Sequence, residues 1–304
     1  MTKTTCIVIG DPHFMTKNIP EVELFIDRIE KLAINRKPDF IVSLGDLLHT
    51  HERLNTLALN KAYEFIEKMR DIAPTYSIVG NHDATSNQIY LSDNHWMNGM
   101  KEWENTTVVD KIVCDKINGK KFVFAPYVYP GRFEEALNTL EGEKWNDADC
   151  IFAHQEFKGC KMGAIISEEG DKWPLDYPDV VSGHIHSRQI IQDNIYYTGS
   201  AMQHAFGESE KNIIAFLTFT EGEDGYHREE IDLDLPRKRI VYKDVKDMDD
   251  YEVIESRDKI KVTLSGSSEE FKSFKKTNKY KEIVDKGVKI VFKHKKTSLE
   301  LKRQ

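Results

Sequence analysis

The chain has 304 residues and a formal net charge of −8, with 39% hydrophobic and 31% charged residues. This composition is that of an ordinary globular protein and excludes a fibrous or intrinsically disordered chain. The longest apolar runs have only the length of a strand, and the N-terminus lacks the pattern of a secretion signal, so we predict an intracellular protein with no membrane segment.

The charge is distributed unevenly along the chain. From Pro236 onward there are 20 Lys and Arg against 12 Asp and Glu, which is +8, whereas the residues before it carry −16. A basic surface of this kind can contact phosphates, although a solvated lysine-rich surface explains the same count equally well. With Leu235-Pro236 as a break, the pattern predicts two domains, 1–235 and 236–304.

Four cysteines occur in the sequence: Cys6, Cys114, Cys150 and Cys160. They show no C-x-x-C spacing, and at least two fall in strand-like segments. We therefore expect buried free thiols rather than disulfides or a zinc ribbon.

Strand-like and helix-like segments alternate in the first quarter of the chain. Apolar runs ending in G-D-P-H, G-D-L-L-H and G-N-H-D predict three strands, and helical periodicity predicts helices over 20–35 and 54–72. Parallel strands joined by crossover helices have their carboxyl ends at one edge of the sheet, where open α/β folds bind ligands. We expect the three motifs to converge there.

The remaining chain is richer in β-type segments. Residues 87–103 are predicted as an irregular loop or short helices; strands are predicted at 107–114, 121–126, 149–154, 179–183, around Ile190, and at 195–198, 212–220 and 227–233, with a helix at 132–140. The pattern indicates an α/β protein in which two sheets pack together with helices outside. After Pro236, a strand at 258–264, a helix at 268–284 and a strand at 287–293 predict a small β-α-β unit, and 297–304 are expected to fray.

Metal-type donors follow five of the predicted strands: Asp11, His13, Asp46, Asn81, His154, His184 and His186. Each alone has an ordinary explanation, such as a helix cap or a buried hydrogen-bonded histidine, but five strand ends with such donors favour a metal site. Nitrogen and oxygen ligands without thiolate suit manganese, iron or zinc, and their number suffices for two ions with one aspartate bridging them. Glycines before Asp46, Asn81 and His184 predict tight turns that point these short side chains at the ions.

The blocks D-P-H, G-D, G-N-H-D, the lone His154 and G-H-I-H resemble, in order and spacing, those of the calcineurin-like metallophosphoesterases over about two thirds of the chain. The resemblance implies a four-layer αββα sandwich that hydrolyses phosphoesters with two ions about 3.5–4 Å apart. It assigns Asp11, His13, Asp46 and His186 to one ion, and Asp46, Asn81, His154 and His184 to the other. His82 is similar to the family's catalytic histidine, which acts on the leaving oxygen and binds no metal.

Within that superfamily, G-D-L-L-H-T-H lacks the arginine of the phosphatase motif G-D-x-x-D-R-G. It looks like the SbcD-type double-strand-break repair nucleases, in which a histidine at the place of His49 assists the catalytic one. The stretch Y-T-G-S-A-M-Q-H-A-F-G-E is also similar, though an ordinary strand and turn explains it by itself. The resemblance implies a manganese-dependent exonuclease or endonuclease of DNA recombination or repair, a short viral or phage relative, with residues 236–304 as the small α+β cap that holds DNA.

Partners and alternatives stay open. In cellular members a helical segment after the cap docks on an SMC-like, SbcC-type ATPase, whereas this chain ends at Gln304. The helix predicted over 54–72 has one broad apolar face, formed by Leu54, Leu57, Ala58, Ala62, Phe65, Ile66 and Met69. This face could form a homodimer or pack in the core, and we favour the core. A phosphodiesterase for cyclic nucleotides or other small substrates is the alternative enzyme. The complete ligand set and His82 argue against a DNA-binding scaffold without activity.

Overall fold

The computed structural model of the protein describes residues 2–51, 53–253 and 256–294. The chain divides into two compact units, one of Met1–His204 with Lys211–Leu235 and one of Ala205–Glu210 with Pro236–Gln304. The short stretch Ala205–Glu210 thus belongs with the residues that follow Pro236. The expectation that 297–304 fray concerns residues outside the described part of the chain.

Two six-stranded sheets form the first unit. The first sheet contains Lys3–Ile9 (β1), Phe40–Ser43 (β2), Thr75–Ile78 (β3), Thr106–Val109 (β4), Ile214–Thr220 (β13) and His227–Ile231 (β14). Its spatial order is β14-β13-β1-β2-β3-β4. The strands β1 to β4 are parallel, and β13 and β14 add an antiparallel edge. The first three motifs therefore meet at one edge, as the sequence predicts.

The second sheet contains Val113–Ile117 (β5), Lys120–Ala125 (β6), Cys150–His154 (β7), Val180–Gly183 (β10), Gln189–Gln192 (β11) and Ile195–Tyr197 (β12). Its order is β11-β12-β10-β7-β6-β5, with β6, β7, β10 and β12 parallel. Two short strands, Lys161–Met162 (β8) and Ile165–Ile166 (β9), form a separate hairpin.

The helices Ile19–Arg36 (α1), Thr56–Ile72 (α2) and Phe133–Leu137 (α3) lie outside the two sheets. Side chains of a strand alternate between its faces, so Ile7 and Ile9 of β1 pack toward α1 and α2 while Cys6 and Val8 pack toward the second sheet. The opposite face of the second sheet packs on α3. This confirms the α/β fold class with two packed sheets and outer helices.

Local sequence signals set the helix ends. Pro20 lies in the first turn of α1, and Lys37 ends that helix in the left-handed conformation with φ 49°. Asn55 caps α2 by accepting hydrogen bonds from the backbone N–H groups of Leu57 and Ala58. No helix in the described part of the chain combines the length and apolar composition needed to cross a membrane.

Core packing explains most of the apolar face of α2. Five of its seven residues are buried: Ala58, Ala62, Phe65, Ile66 and Met69. The other two, Leu54 and Leu57, are 43% and 46% exposed. All four cysteines are free, as predicted, with three of them buried and Cys114 half-buried.

The strand predicted at 107–114 is two strands in different sheets. β4 ends at Val109 in the first sheet, and β5 begins at Val113 in the second. Between them the chain passes from one layer to the other, and Ile112 packs in the core under α3. Asp110 and Lys111 interrupt the apolar run at this crossing, but the apolar residues on both sides make the segment resemble one strand in the sequence.

The second unit is a small parallel sheet with two helices. Its strands are Lys238–Asp244 (β15), Lys259–Gly266 (β16) and Lys289–His294 (β17), in that order, and its helices are Ser268–Phe274 (α4) and Asn278–Asp285 (α5). The predicted single helix over 268–284 is therefore wrong. Thr277 begins α5 by accepting a hydrogen bond from the backbone N–H of Tyr280. β15, in which charged residues flank a short apolar run, escaped prediction.

We expect Phe40→Ala to destabilise the first unit by about 3–5 kcal/mol, because the Phe40 side chain is fully buried between the sheets. Its ring centroid is 4.9 Å from that of Phe122 and 5.9 Å from that of Phe152. Urea denaturation measures the free energy of unfolding. Ile34→Ala, at a side chain 53% exposed, is the control and should change it by less than about 0.5 kcal/mol. Equal effects of the two substitutions would contradict this packing.

Candidate metal centre

The structure brings all seven predicted ligands to the edge shared by the two sheets. Asp11 and His13 follow β1, Asp46 follows β2, and Asn81 follows β3. His154 is the last residue of β7, and His184 and His186 follow β10. Five of them are buried, while His184 and His186 are half-buried. The two sheets thus each supply part of one polar cluster.

The donors form two groups on either side of Asp46. In the first, Nε2 of His13 lies 2.9 Å from Nε2 of His186 and 3.6 Å from Oδ2 of Asp46. The same Asp46 oxygen lies 3.4 Å from Nε2 of His154. The Asp46 carboxylate therefore lies between histidines of the two groups.

The second group is centred on the side-chain oxygen of Asn81. This Oδ1 lies 3.0 Å from Nε2 of His154 and 3.0 Å from Nδ1 of His184. The carboxylate of Asp11 groups with Asp46 and His154, their ligand atoms lying within 4.8 Å of one another. Asp11 therefore lies next to Asp46, the residue assigned to both ions.

The surroundings of Asp11 show whether this cluster of side chains suits a cation. Both carboxylate oxygens are buried, and neither accepts a hydrogen bond within the described part of the chain. Burial of an unpaired carboxylate is costly, and here it raises the pKa of Asp11. A divalent cation supplies the missing partner, so the residues present fit a metal centre.

Two imidazoles are oriented by partners outside the cluster. Nδ1 of His154 donates to the carbonyl oxygen of Leu44 at 2.7 Å, which directs Nε2 at the centre. Nε2 of His184 lies 3.8 Å from Oε2 of Glu156, while Nδ1 faces Asn81. Such outer partners fix the tautomer and the ring orientation of metal-binding histidines.

Electrostatics in the cluster favour positive charge. Burial opposes ionisation of Asp46, but the neighbouring histidines, His154 first, outweigh it and hold its pKa well below the ordinary value. Burial likewise opposes protonation of His154, yet Asp46 and Asp11 raise its pKa to about 9. A bound cation would replace that proton, because metal binding and protonation compete for the same nitrogen.

Glycines leave the space that the ligands occupy. A methyl group at Gly80 would lie 2.2 Å from Oδ1 of Asp46, and one at Gly183 would lie 2.5 Å from Oδ1 of Asp11. Only Gly45 has a positive φ, 103°. Of the three glycines at which the sequence predicts tight turns, only Gly45 therefore has the left-handed conformation that favours glycine. At Gly80 and Gly183 a side chain would collide with a ligand.

Four ligands themselves have left-handed backbone conformations: Asp11 (φ 31°), His13 (φ 46°), Asp46 (φ 52°) and His184 (φ 78°). Residues with side chains rarely adopt this region, and such strain concentrates at functional sites. The surrounding sheets must therefore stabilise the conformation of these loops.

His82 and His49 lie beside the first group. Nδ1 of His82 donates to the carbonyl oxygen of His49 at 2.7 Å, and the backbone N–H of His82 donates to Oδ1 of Asp46 at 2.8 Å. Nδ1 of His49 lies 3.4 Å from Nδ1 of His13. Burial lowers the pKa of His82. Ligand atoms of His13, His49 and His82 also lie within 4.8 Å of one another, so proximity alone does not separate the two predicted catalytic residues from the ligands.

Sequence reasoning missed three residues of the centre. Nε2 of His204 donates to the backbone oxygen of Asp11 at 2.9 Å, and its ring lies 4.7 Å from that of His13. The ring of His51 stacks on that of His82 with 4.4 Å between centroids. Asp83 accepts hydrogen bonds from the backbone N–H groups of Gly80 and Leu48. The signals available were the H in Y-T-G-S-A-M-Q-H, the second H in G-D-L-L-H-T-H and the final D in G-N-H-D.

Clustered carboxylates and imidazoles at the strand ends of an αββα sandwich define a metal-dependent phosphoesterase. Residues 4–212 match the family model described as calcineurin-like phosphoesterase, and the chain belongs to that family. Its relatives include "Putative phosphoesterase 078R" of Invertebrate iridescent virus 3, 47% identical over 96% of this chain and 84% of the relative. "Putative phosphoesterase 244L" of Invertebrate iridescent virus 6 is 49% identical over 91% of this chain and 99% of the relative.

A solved structure, "GAP50 the anchor in the inner membrane complex of Plasmodium", is also similar, with a TM-score of 0.45 and 17% identity over 76% of this chain and 90% of that chain. The family match and the two viral relatives confirm the superfamily and its hydrolytic phosphoester chemistry, both expected from the sequence. Use of divalent metals agrees with the Asp and His clusters in the structure.

We expect Gly80→Ala to weaken manganese binding about 10- to 100-fold, because the added methyl group displaces the Asp46 carboxylate. Isothermal titration calorimetry with Mn²⁺ measures the change. Gly99→Ala is the control, since its methyl group would meet nothing closer than the Tyr63 hydroxyl at 3.6 Å. Unchanged affinity in Gly80→Ala would show that Asp46 does not bind the ion.

Proposed function

We propose that the protein is a two-metal phosphodiesterase that cleaves DNA, an SbcD-like exonuclease or endonuclease that acts in recombination or double-strand-break repair. The observation that carries the proposal is the Asp46 carboxylate between two donor groups, with His82 hydrogen-bonded to it beside them. Asp11, His13, Asp46 and His186 would hold one ion, and Asp46, Asn81, His154 and His184 the other.

The protein's own residues would position the reacting groups. Two divalent cations in this centre would neutralise the phosphate charge and lower the pKa of a water molecule. The His49 carbonyl fixes Nδ1 of His82 and leaves its Nε2 to donate a proton to the leaving oxygen. Because burial lowers the pKa of His82, its protonated form gives up that proton readily. His49 supports this ring from the neighbouring loop.

Three features support DNA as the substrate. The motif G-D-L-L-H-T-H lacks the arginine with which phosphatases hold a monoester. Residues 236–304 carry a net charge of +8. Ten lysines in the described part of this unit are exposed: Lys243, Lys246, Lys259, Lys272, Lys275, Lys276, Lys281, Lys286, Lys289 and Lys293. Exposed cations bind phosphates without regard to sequence, so this unit would serve as a DNA-holding cap.

We propose manganese as the metal. Imidazole nitrogen with carboxylate and amide oxygen is a donor set of intermediate hardness, and it contains no thiolate. Manganese binds nitrogen and oxygen ligands of this kind, and it exchanges its bound water molecules readily. Zinc and iron are the competitors that a metal-replacement assay would rank.

The decisive experiment uses end-labelled duplex and single-stranded DNA with Mn²⁺, with Mg²⁺ and with chelator. We expect cleavage with Mn²⁺, loss of cleavage with chelator, and weaker binding as salt rises. Bis-p-nitrophenyl phosphate and cyclic nucleotides are assayed in parallel. Cleavage of the small diesters with both DNA forms intact would overturn the nuclease assignment and favour the small-molecule phosphodiesterase.

We expect His82→Asn to lower kcat on DNA about 10²- to 10⁴-fold, because the donor of the proton to the leaving sugar oxygen is lost. Manganese affinity should stay within about two-fold of the original, since His82 is not assigned to a metal. His227→Asn, at an exposed histidine of β14, serves as the control. A parallel loss of bound manganese in His82→Asn would place this residue among the ligands instead.

A further inference from the structure

A cavity of 940 Å³ opens directly beside the second donor group. Asn81, His82 and His184 form its inner end, so whatever occupies it lies next to the reacting phosphate. The volume is ample for a group of the size of a nucleoside. Apart from these three residues, the proposed hydrolysis of DNA assigns no role to the side chains that line this cavity.

The walls of the cavity combine aromatic and acidic side chains. Tyr127 and Tyr129 line it together with Met162 of the β8–β9 hairpin, and Glu156 and Glu169 supply two carboxylates. Among the described residues that line it there is no lysine or arginine. The wall away from the metal ligands therefore carries carboxylates, where a phosphate-binding surface would carry positive charge.

The inner wall is rigid. The Tyr127 ring, 4% exposed, lies 5.3 Å from the His184 ring, and its hydroxyl donates to the backbone oxygen of Asn87 at 3.1 Å. Glu156 is held by Ser167, whose hydroxyl donates to it at 2.5 Å. A ring entering the cavity would thus meet surfaces already in place, which reduces the entropy lost on binding.

The outer wall is also defined. The Tyr129 hydroxyl accepts a hydrogen bond from Nη1 of Arg132 at 3.0 Å. The Arg132 guanidinium lies 3.6 Å from the centroid of the Tyr90 ring and pairs with Glu135. Its positive charge is therefore already engaged by a carboxylate, and Tyr129 presents a positioned aromatic ring.

We propose that this cavity is a nucleobase subsite, which takes the base of the nucleotide whose phosphate lies at the metal centre. The Tyr129 ring and the Met162 thioether would bind the face of a heterocycle, and the Glu169 carboxylate would accept hydrogen bonds from its N–H groups. Guanine fits best, because its N1–H and N2–H groups form a two-donor edge that matches one carboxylate.

This inference rests on the proposed function and narrows it. A continuous duplex would bring further phosphates toward Glu156 and Glu169, and two carboxylates repel them. An unstacked base carries no charge and enters without that cost. The substrate at the centre is therefore a nucleotide released from its stack, at a strand end or in a single-stranded stretch.

Binding of nucleotides to the manganese-loaded protein tests the inference independently of cleavage. Isothermal titration calorimetry compares dGMP, dTMP, 2-deoxyribose 5-phosphate and phosphocholine, which share the phosphate group. We expect dGMP to bind about ten-fold more tightly than 2-deoxyribose 5-phosphate, with dTMP between them.

Variants of the wall provide matched controls. Tyr129→Ala should remove the advantage of dGMP, whereas Tyr129→Phe should keep it, because only the ring is needed. Glu169→Gln should reduce the advantage of dGMP over dTMP. Glu168→Gln, at the neighbouring carboxylate that pairs with Lys158, should leave it unchanged. Affinity for 2-deoxyribose 5-phosphate should be the same in all four variants.

Equal affinity of the wild-type protein for dGMP and 2-deoxyribose 5-phosphate would overturn the subsite, even if DNA is cleaved. Tighter binding of phosphocholine than of dGMP would also overturn the subsite. It would indicate that the cavity binds the cationic group of a ligand against its aromatic rings. A preference for dGMP without any cleavage of DNA would support the subsite while the proposed nuclease activity fails.

Discussion

Two carboxylates, Asp11 and Asp46, are buried where the edges of the two sheets meet, and four imidazoles surround them. Carboxylates without enough hydrogen-bond donors are expensive to bury, and Asp11 has no donor among the described residues. The rest of the site follows from this constraint. Glycines keep space free around both side chains, backbone carbonyls and Glu156 orient the imidazoles, and four ligands adopt left-handed backbone conformations that direct their side chains inward.

The αββα sandwich is suited to such a constraint because its strongest packing lies directly behind the centre. Phe40, Phe122 and Phe152 fill the space between the sheets, and the parallel strands next to them end at the polar cluster. Strained loops on these strand ends are stabilised by rigid neighbours, since the strands are hydrogen-bonded on both sides.

Much of this could be predicted from the sequence because the relevant signals are local. An apolar run followed by glycine and a polar residue predicts a strand that ends at a ligand. This pattern identified Asp46, Asn81 and His184. The layer crossing between Val109 and Val113 was missed because only Asp110 and Lys111 separate two apolar pairs there. The cap at Thr277 could not be found, because the spacing of Phe274, Tyr280 and Ile283 continues the helical pattern across it. His204 escaped for another reason: it is a lone histidine in a stretch that an ordinary strand and turn explains, and it is hydrogen-bonded to the backbone of Asp11.

The hydrogen bond from His154 to the Leu44 carbonyl joins the two sheets, since His154 ends β7 and Leu44 follows β2. The orientation of one imidazole in the second sheet thus depends on the backbone of the first. If one sheet slid along the other, the His154 ring would turn away from the metal centre. The ion would then lose this ligand before either sheet lost the hydrogen bonds between its own strands. Ions at this seam would therefore act as a cross-link between the halves of the sandwich, so that thermal unfolding of the two sheets becomes one cooperative event.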